Sequence, residues 1–133
     1  MEMLNSTVNQ FRGIIVTPAE LPEDPDYFTK RLNDSIRSWK ADEYLVVWLQ
    51  VPMCKASLIP RAISAGFQFH HSSDDYLMLT LQLLDNAYVP PFASHYAGAG
   101  GVVINISNEL LVVCEKHRPD NRAPYYKLPG GTL

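Results

Sequence analysis

The residue pattern of this chain predicts an α/β (α+β) fold, a small mixed sheet with two helices packed on it. Three observations carry that expectation. Asp24-Pro25 opens a segment in which Phe28, Leu32, Ser35/Ile36 and Trp39 recur at helical spacing. Residues 44–51, Tyr-Leu-Val-Val-Trp-Leu-Gln-Val, are almost continuously apolar, as a strand covered on both faces requires. Residues 67–71 and 76–84 are two strand-like runs flanking the polar turn Ser72-Ser73-Asp74-Asp75.

In chain order, residues 11–16 form a short β-branched run closed by Thr17-Pro18, which reads as a first strand. Asp24 supplies a side-chain acceptor ahead of a proline whose fixed φ suits the first helical position, so a helix starts there. Lys30, Arg31, Asp34 and Arg37 fall on the side of that helix opposite its apolar stripe. Pro52 closes the central strand. Residues 55–65 read as a second helix, with Gly66 placed where a left-handed glycine ends one. The first 84 residues therefore read β-α-β-α-β-β. Residues 86–93, with Pro90-Pro91, read as a stiff linker, because paired prolines resist helix and sheet alike. Residues 96–106 and 110–115 suit a hairpin about Ser107-Asn108, and residues 116–124 a charged, proline-bearing loop. The hairpin is apolar at most positions and is expected to leave an aggregation-prone edge. Residues 119–133 are expected to be poorly ordered and readily clipped, while residues before Pro90 resist.

At 133 residues and 47% hydrophobic, the chain has enough apolar content for one real core. Its net charge of −3 comes from 14 acidic and 11 basic residues mixed along the sequence. With no basic block, binding nucleic acid through phosphate neutralisation has no electrostatic footprint. The apolar runs fall short of the ~20 residues of a membrane span. Residues 1–10 lack the basic and apolar regions of a secretory signal. Cys54 and Cys114 lie in unrelated contexts and read as reduced thiols. The cytoplasm is the expected compartment, with mitochondrion and nucleus left open.

Several constellations invite chemistry. His70-His71 with Asp74-Asp75 suggests a metal, but neighbouring strand residues point to opposite faces, so strand-end packing is the expectation there. Gly98-Ala99-Gly100-Gly101 lacks nucleotide-loop spacing and feeds a strand, which favours close backbone packing. Ser94-His95 lacks a third group for nucleophilic catalysis, and the cysteines are equally generic. Trp39 and Trp48 are assigned to the core.

Taken together, three stretches resemble one family. They are Trp48-Leu-Gln-Val-Pro52; Ala65-Gly-Phe-Gln-Phe-His-His71 with Tyr76-Leu-Met-Leu79; and Ala93-Ser-His-Tyr-Ala-Gly-Ala-Gly100, running through Leu111-Val-Val-Cys-Glu115 to Lys127-Leu-Pro-Gly-Gly131. Their order and spacing resemble the Nudix hydrolases of the nucleoside diphosphate-linked moiety X motif 6 type. The resemblance implies a pre-Nudix domain at 1–88 with an acetyltransferase-like fold, a linker at 89–95, and at 96–133 the first strands of an incomplete Nudix α/β/α sandwich. Gly131 would be the first glycine of the Nudix box.

In the family, the helix after that glycine carries R-E-U-x-E-E, with U a bulky aliphatic, and its glutamates hold Mg²⁺ or Mn²⁺. None of those glutamates is among the 133 residues. The resemblance therefore implies no catalytic residue, no metal site and no cofactor for this chain, which is expected to be inactive alone. An intact relative would hydrolyse a nucleoside diphosphate derivative of the ADP-ribose or NADH type. Gly130, Gly131, Lys127 and Arg118 are the candidates for a substrate or phosphate loop. Two alternatives stand beside this: a non-catalytic module that forms homo-oligomers, and an acetyltransferase-like binder of coenzyme A. For the latter, residues 60–66 place their glycine at the wrong end of the helix.

Overall fold

The computed structural model describes residues 2–116 and 123–132, and the chain divides into two compact units, Met1–Phe92 and Ala93–Leu133. In the first unit, β1 (Ser6–Val8) and β2 (Ile14–Val16) form an antiparallel pair. The turn between them is held by the Asn9 side chain, whose Oδ1 accepts from the Phe11 and Gly13 amides at 2.9 and 2.8 Å. The expected single strand at 11–16 is thus the second arm of a hairpin. Polar Ser6 and Thr7 hid the first arm, which lies at the sheet edge.

Helix α1 (Pro25–Ala41) begins where expected, with Asp24 Oδ1 accepting from Tyr27 N at 2.6 Å. It buries Phe28, Leu32, Ser35 and Trp39. Asp34 is buried as well, contrary to its assignment to the polar side, and is paired with Arg37 on the next turn. Ser35 Oγ accepts from Leu4 N at 2.8 Å, which ties the chain start to the helix.

Strand β3 (Val46–Pro52) pairs parallel with β2 and antiparallel with β5 (Tyr76–Gln82), and β4 (Gln68–Ser72) pairs with β5 at the far edge. The sheet order is β1-β2-β3-β5-β4. Within β3, Val47, Leu49 and Val51 are fully buried, whereas Trp48, Gln50 and Pro52 are half-buried. The strand therefore has one helix-covered face and one thinly covered face, and is not sealed on both. Val47, Leu49, Val51 and Leu79 form one core with Phe28 and Leu32 of α1 and with Leu58 and Ala62 beneath it. Each of these Val, Leu and Phe side chains contributes about 1.5–3 kcal/mol by leaving water.

The second helix is shorter than expected. Met53–Leu58 is a 3-10 segment, and α2 spans only Ile59–Ser64 with Pro60 in its first turn. Proline has no amide to donate and clashes with a preceding helical turn, so one continuous helix through residues 55–65 cannot form. Gly66 closes α2 at φ 98°.

The second unit is built from short ladders. β6 (Gly98–Gly100) pairs with β9 (Gly130–Thr132), and β7 (Val113–Cys114) with β8 (Tyr126–Lys127). The turn at Ser107-Asn108 is present, with Asn108 at φ 59° and the Asn105 Oδ1 accepting from Ser107 N and Glu109 N at 2.9 and 3.0 Å. The strands expected around it reduce to the bridge Ile104↔Leu110 and the Leu111 N to Val103 O bond of 2.9 Å.

Candidate functional site

Gly130 and Gly131, expected in a loop, are the first two residues of β9. Gly130 is opposite Gly100, and a Cβ added to it would fall 2.2 Å from Ala99 O and 2.7 Å from Gly100 Cα. Its missing side chain is therefore used by the approach of two backbones. Gly131 is different, since a Cβ there would meet nothing within 4 Å. Gly101 N donates to Pro129 O at 2.8 Å, which continues the pairing past the strand end.

Lys127 lies in β8, where its Nζ is 2.5 Å from Glu115 Oε1. Hydrogen bonding to Lys127 and its positive charge hold the Glu115 carboxyl below its ordinary range, and Glu115 raises the lysine in turn. The ammonium is already partly neutralised before any anion arrives. Arg118, the other cation proposed for the loop, lies outside the described residues.

A divalent ion needs several converging oxygen ligands. Among the described residues no three His, Cys, Asp or Glu side chains converge. In the second unit Glu109 accepts from Asn105 Nδ2 at 2.6 Å, and Glu115 is engaged by Lys127. This donor set does not fit Mg²⁺ or Mn²⁺, and no chemical step through a metal is derived from it.

In the first unit, a register shift between Phe69 and His71 places an irregularity in β4. It brings His70 and His71 to the same side, with their Nδ1 atoms 2.7 Å apart. This corrects the expectation that the two rings point to opposite faces. His70 also meets Trp48 edge-on and touches Pro90 O through Nε2 at 2.7 Å. His71 stacks on Phe92 at 3.9 Å and faces the Tyr76 hydroxyl. The segment expected to be a stiff linker is thus held on the sheet as far as residue 92, helped by Gln82 Nε2 donating to Ala87 O at 2.6 Å. A cavity of about 430 Å³ opens beside it, lined by Gln68, His70, Thr80, Gln82 and Val89 among others. Nothing in the local sequence marks the irregularity, as no glycine or proline lies between Gln68 and Ser72.

Ser94 Oγ and His95 Nδ1 are 3.0 Å apart. Cys54 and Cys114 are exposed. No helix among the described residues is long and apolar enough to cross a membrane.

Comparison with known proteins places these features. The family described as the Nudix hydrolase domain matches residues 4–83, within the first unit. Nudix hydrolase 8 of Arabidopsis thaliana is 35% identical over 98% of this chain and 36% of its own length. Nudix hydrolase 7 of the same plant is 34% identical over 98% of the chain and 47% of its length. Nucleoside diphosphate-linked moiety X motif 6 of Homo sapiens is 34% identical over 96% of the chain and 42% of its length. The chain spans less than half the length of these curated relatives. On the domain match and the near-complete alignment to these proteins, the chain belongs to the Nudix hydrolase family.

Proposed function

We propose that these 133 residues are part of a hydrolase acting on a nucleoside diphosphate linked to another moiety, ADP-ribose or NADH being the substrates tested first. The observation that carries this reading is the alignment of 96–98% of the chain to proteins named Nudix hydrolases or nucleoside diphosphate-linked moiety X motif 6. In the proposal the first unit, although it is the part that the Nudix hydrolase domain matches, is an accessory domain with an acetyltransferase-like arrangement, a reading supported by α1 crossing between the parallel strands β2 and β3. Residues 89–95 connect it to the second unit, and Lys127 to Gly131, with Arg118, approach the diphosphate.

Mg²⁺ or Mn²⁺ would supply charge neutralisation and an activated water in the whole enzyme. Among the described residues no carboxylates converge on a common point, which supports the reading that the 133 residues alone turn nothing over. The test is release of AMP from ADP-ribose or NADH by the purified chain with Mg²⁺ or Mn²⁺. Release equal to a protein-free blank is expected, and magnesium-dependent turnover overturns the reading. A chimera in which residues 1–133 replace the aligned segment of the Homo sapiens relative should retain that hydrolysis, and a folded but inactive chimera counts against the substrate reading.

A second reading, a self-associating module, draws on the exposed apolar side chains of the second unit. Tyr96, Ile106 and Tyr126 are 79%, 105% and 74% exposed. Size exclusion coupled to light scattering decides it, a clean monomer excluding it.

A further inference from the structure

The thinly covered face of the first unit's sheet carries a chain of hydrogen bonds whose protons can be placed from its ends. A main-chain carbonyl only accepts, so the contact between His70 Nε2 and Pro90 O at 2.7 Å puts a hydrogen on that nitrogen. In the neutral ring, His70 Nδ1 is then bare and accepts. The Nδ1–Nδ1 contact of 2.7 Å makes His71 its donor. His71 Nε2 is left as an acceptor facing the Tyr76 hydroxyl at 3.4 Å. One tautomer assignment satisfies all three contacts with both rings uncharged.

A first added proton fits this arrangement. It enters at His71 Nε2, and the Tyr76 hydroxyl turns to accept from it, leaving the Nδ1–Nδ1 bond intact. A second proton has only His70 Nδ1 to occupy. Two N–H groups and two positive charges would then face each other across that short contact. The rings must separate, and each holds a different part of the same segment: His70 the Pro90 carbonyl, His71 the Phe92 ring. Whichever ring moves, residues 90–92 lose an anchor.

We propose that the His70–His71 pair is a proton-operated latch, which holds residues 90–92 on the sheet with at most one added proton and releases them on taking a second. The groups packed around the pair offer no compensation. β3 presents the uncharged Trp48, β5 the Tyr76 hydroxyl, and the segment itself a carbonyl and a phenyl ring. Among the described residues, Asp74, Asp75 and Asp85 make no ion pair or hydrogen bond to either imidazole. Loss of water around His71 is the largest cause that pushes its titration below the ordinary histidine value.

Long-range ¹H–¹⁵N NMR of the whole chain, titrated from pH 8 to pH 4.5, tests the proposal. At pH 8 His70 should be the Nε2–H tautomer and His71 the Nδ1–H tautomer. The pair should then titrate in two steps separated by more than about one pH unit. The Phe92 ring signals and the Tyr88 and Val89 amides should move with the second step. Reversed tautomers, a single shared step, or Phe92 signals that ignore the second step each overturn the latch. In His71→Asn the pH-dependent movement of Phe92 should vanish, whether the segment is held or free, and its persistence overturns the proposal as well.

Discussion

A methyl group added at Gly130 would drive into the Ala99 carbonyl, while the same group at Gly131 would meet open space. Two adjacent glycines therefore answer to different constraints. Gly130→Ala should cost about 1–3 kcal/mol of local stability through overpacking. Amide exchange at Gly98–Gly100 should accelerate, while Gly131→Ala leaves it near the parent rate. Equal effects at both positions would contradict the close approach. Asp24 is a second residue-scale case, as its carboxylate satisfies an amide that helix geometry leaves without a partner. Asp24→Ala should lower stability by about 1 kcal/mol, read as a lower urea midpoint at unchanged slope. At Lys127 the electrostatics can be read directly. Lys127→Met should return the Glu115 titration upward toward the ordinary carboxylate range, and an unmoved carboxyl signal would remove the lysine as the cause.

At the scale of elements, the β3–β5 ladder and α1 share one core, so damage to either is felt by both. Leu49 is fully buried opposite Leu79 in the register. Leu49→Ala should cost about 2–5 kcal/mol through lost transfer energy and a residual cavity, enough to bring the first unit near its unfolding threshold. Thermal unfolding followed by circular dichroism reads this as a large fall in Tm. The β4–β5 hairpin adds a pH dependence whose sign follows from His71. Its folded pKa lies below the unfolded value of about 6.5, so the unfolded chain binds the proton first as pH falls. The stability that neutral His71 contributes is complete above that value and is lost as pH drops below it toward the folded pKa. The urea midpoint of the parent should therefore decline between pH 7 and pH 5, and His71→Gln should flatten the decline. Parallel curves for the two proteins would exclude the histidine as the source.

Taken as a whole, the chain concentrates its stability in one place. Every member of the buried apolar cluster lies in the first unit. The second unit is made of two- and three-residue strands with mostly exposed side chains. Such a unit opens at low free-energy cost. Limited proteolysis should therefore cut within residues 93–133 well before it cuts within residues 1–92, as mass spectrometry of the early fragments would show. Simultaneous loss of both units would refute the separation. The family assignment belongs to this scale too, because each matching stretch is weak singly and their order along the chain is what aligns.

Much of the first unit is legible in the sequence. The Asp24-Pro25 start of α1, the Gly66 stop, the apolar central strand and the turn at Ser72–Asp75 are local signals, and local backbone chemistry obeys them. The Ser107-Asn108 turn was legible for the same reason, although the long strands around it were not, since apolar character alone cannot specify what a strand pairs with. Four features were settled only by the packed molecule: the early arm at Ser6–Val8, the burial of Asp34, the shortening of α2 ahead of Pro60, and the shift in β4 that joins His70 to His71. Pro60 was visible, but its position within the segment mattered more than the surrounding helical pattern. The others depend on partners distant in sequence: β2 for the first arm, the core beneath α1 for Asp34, β5 for the histidines. Short-range propensity is written in neighbouring residues, whereas register and the side-chain meetings it produces are written in contacts that exist only after the chain has closed on itself.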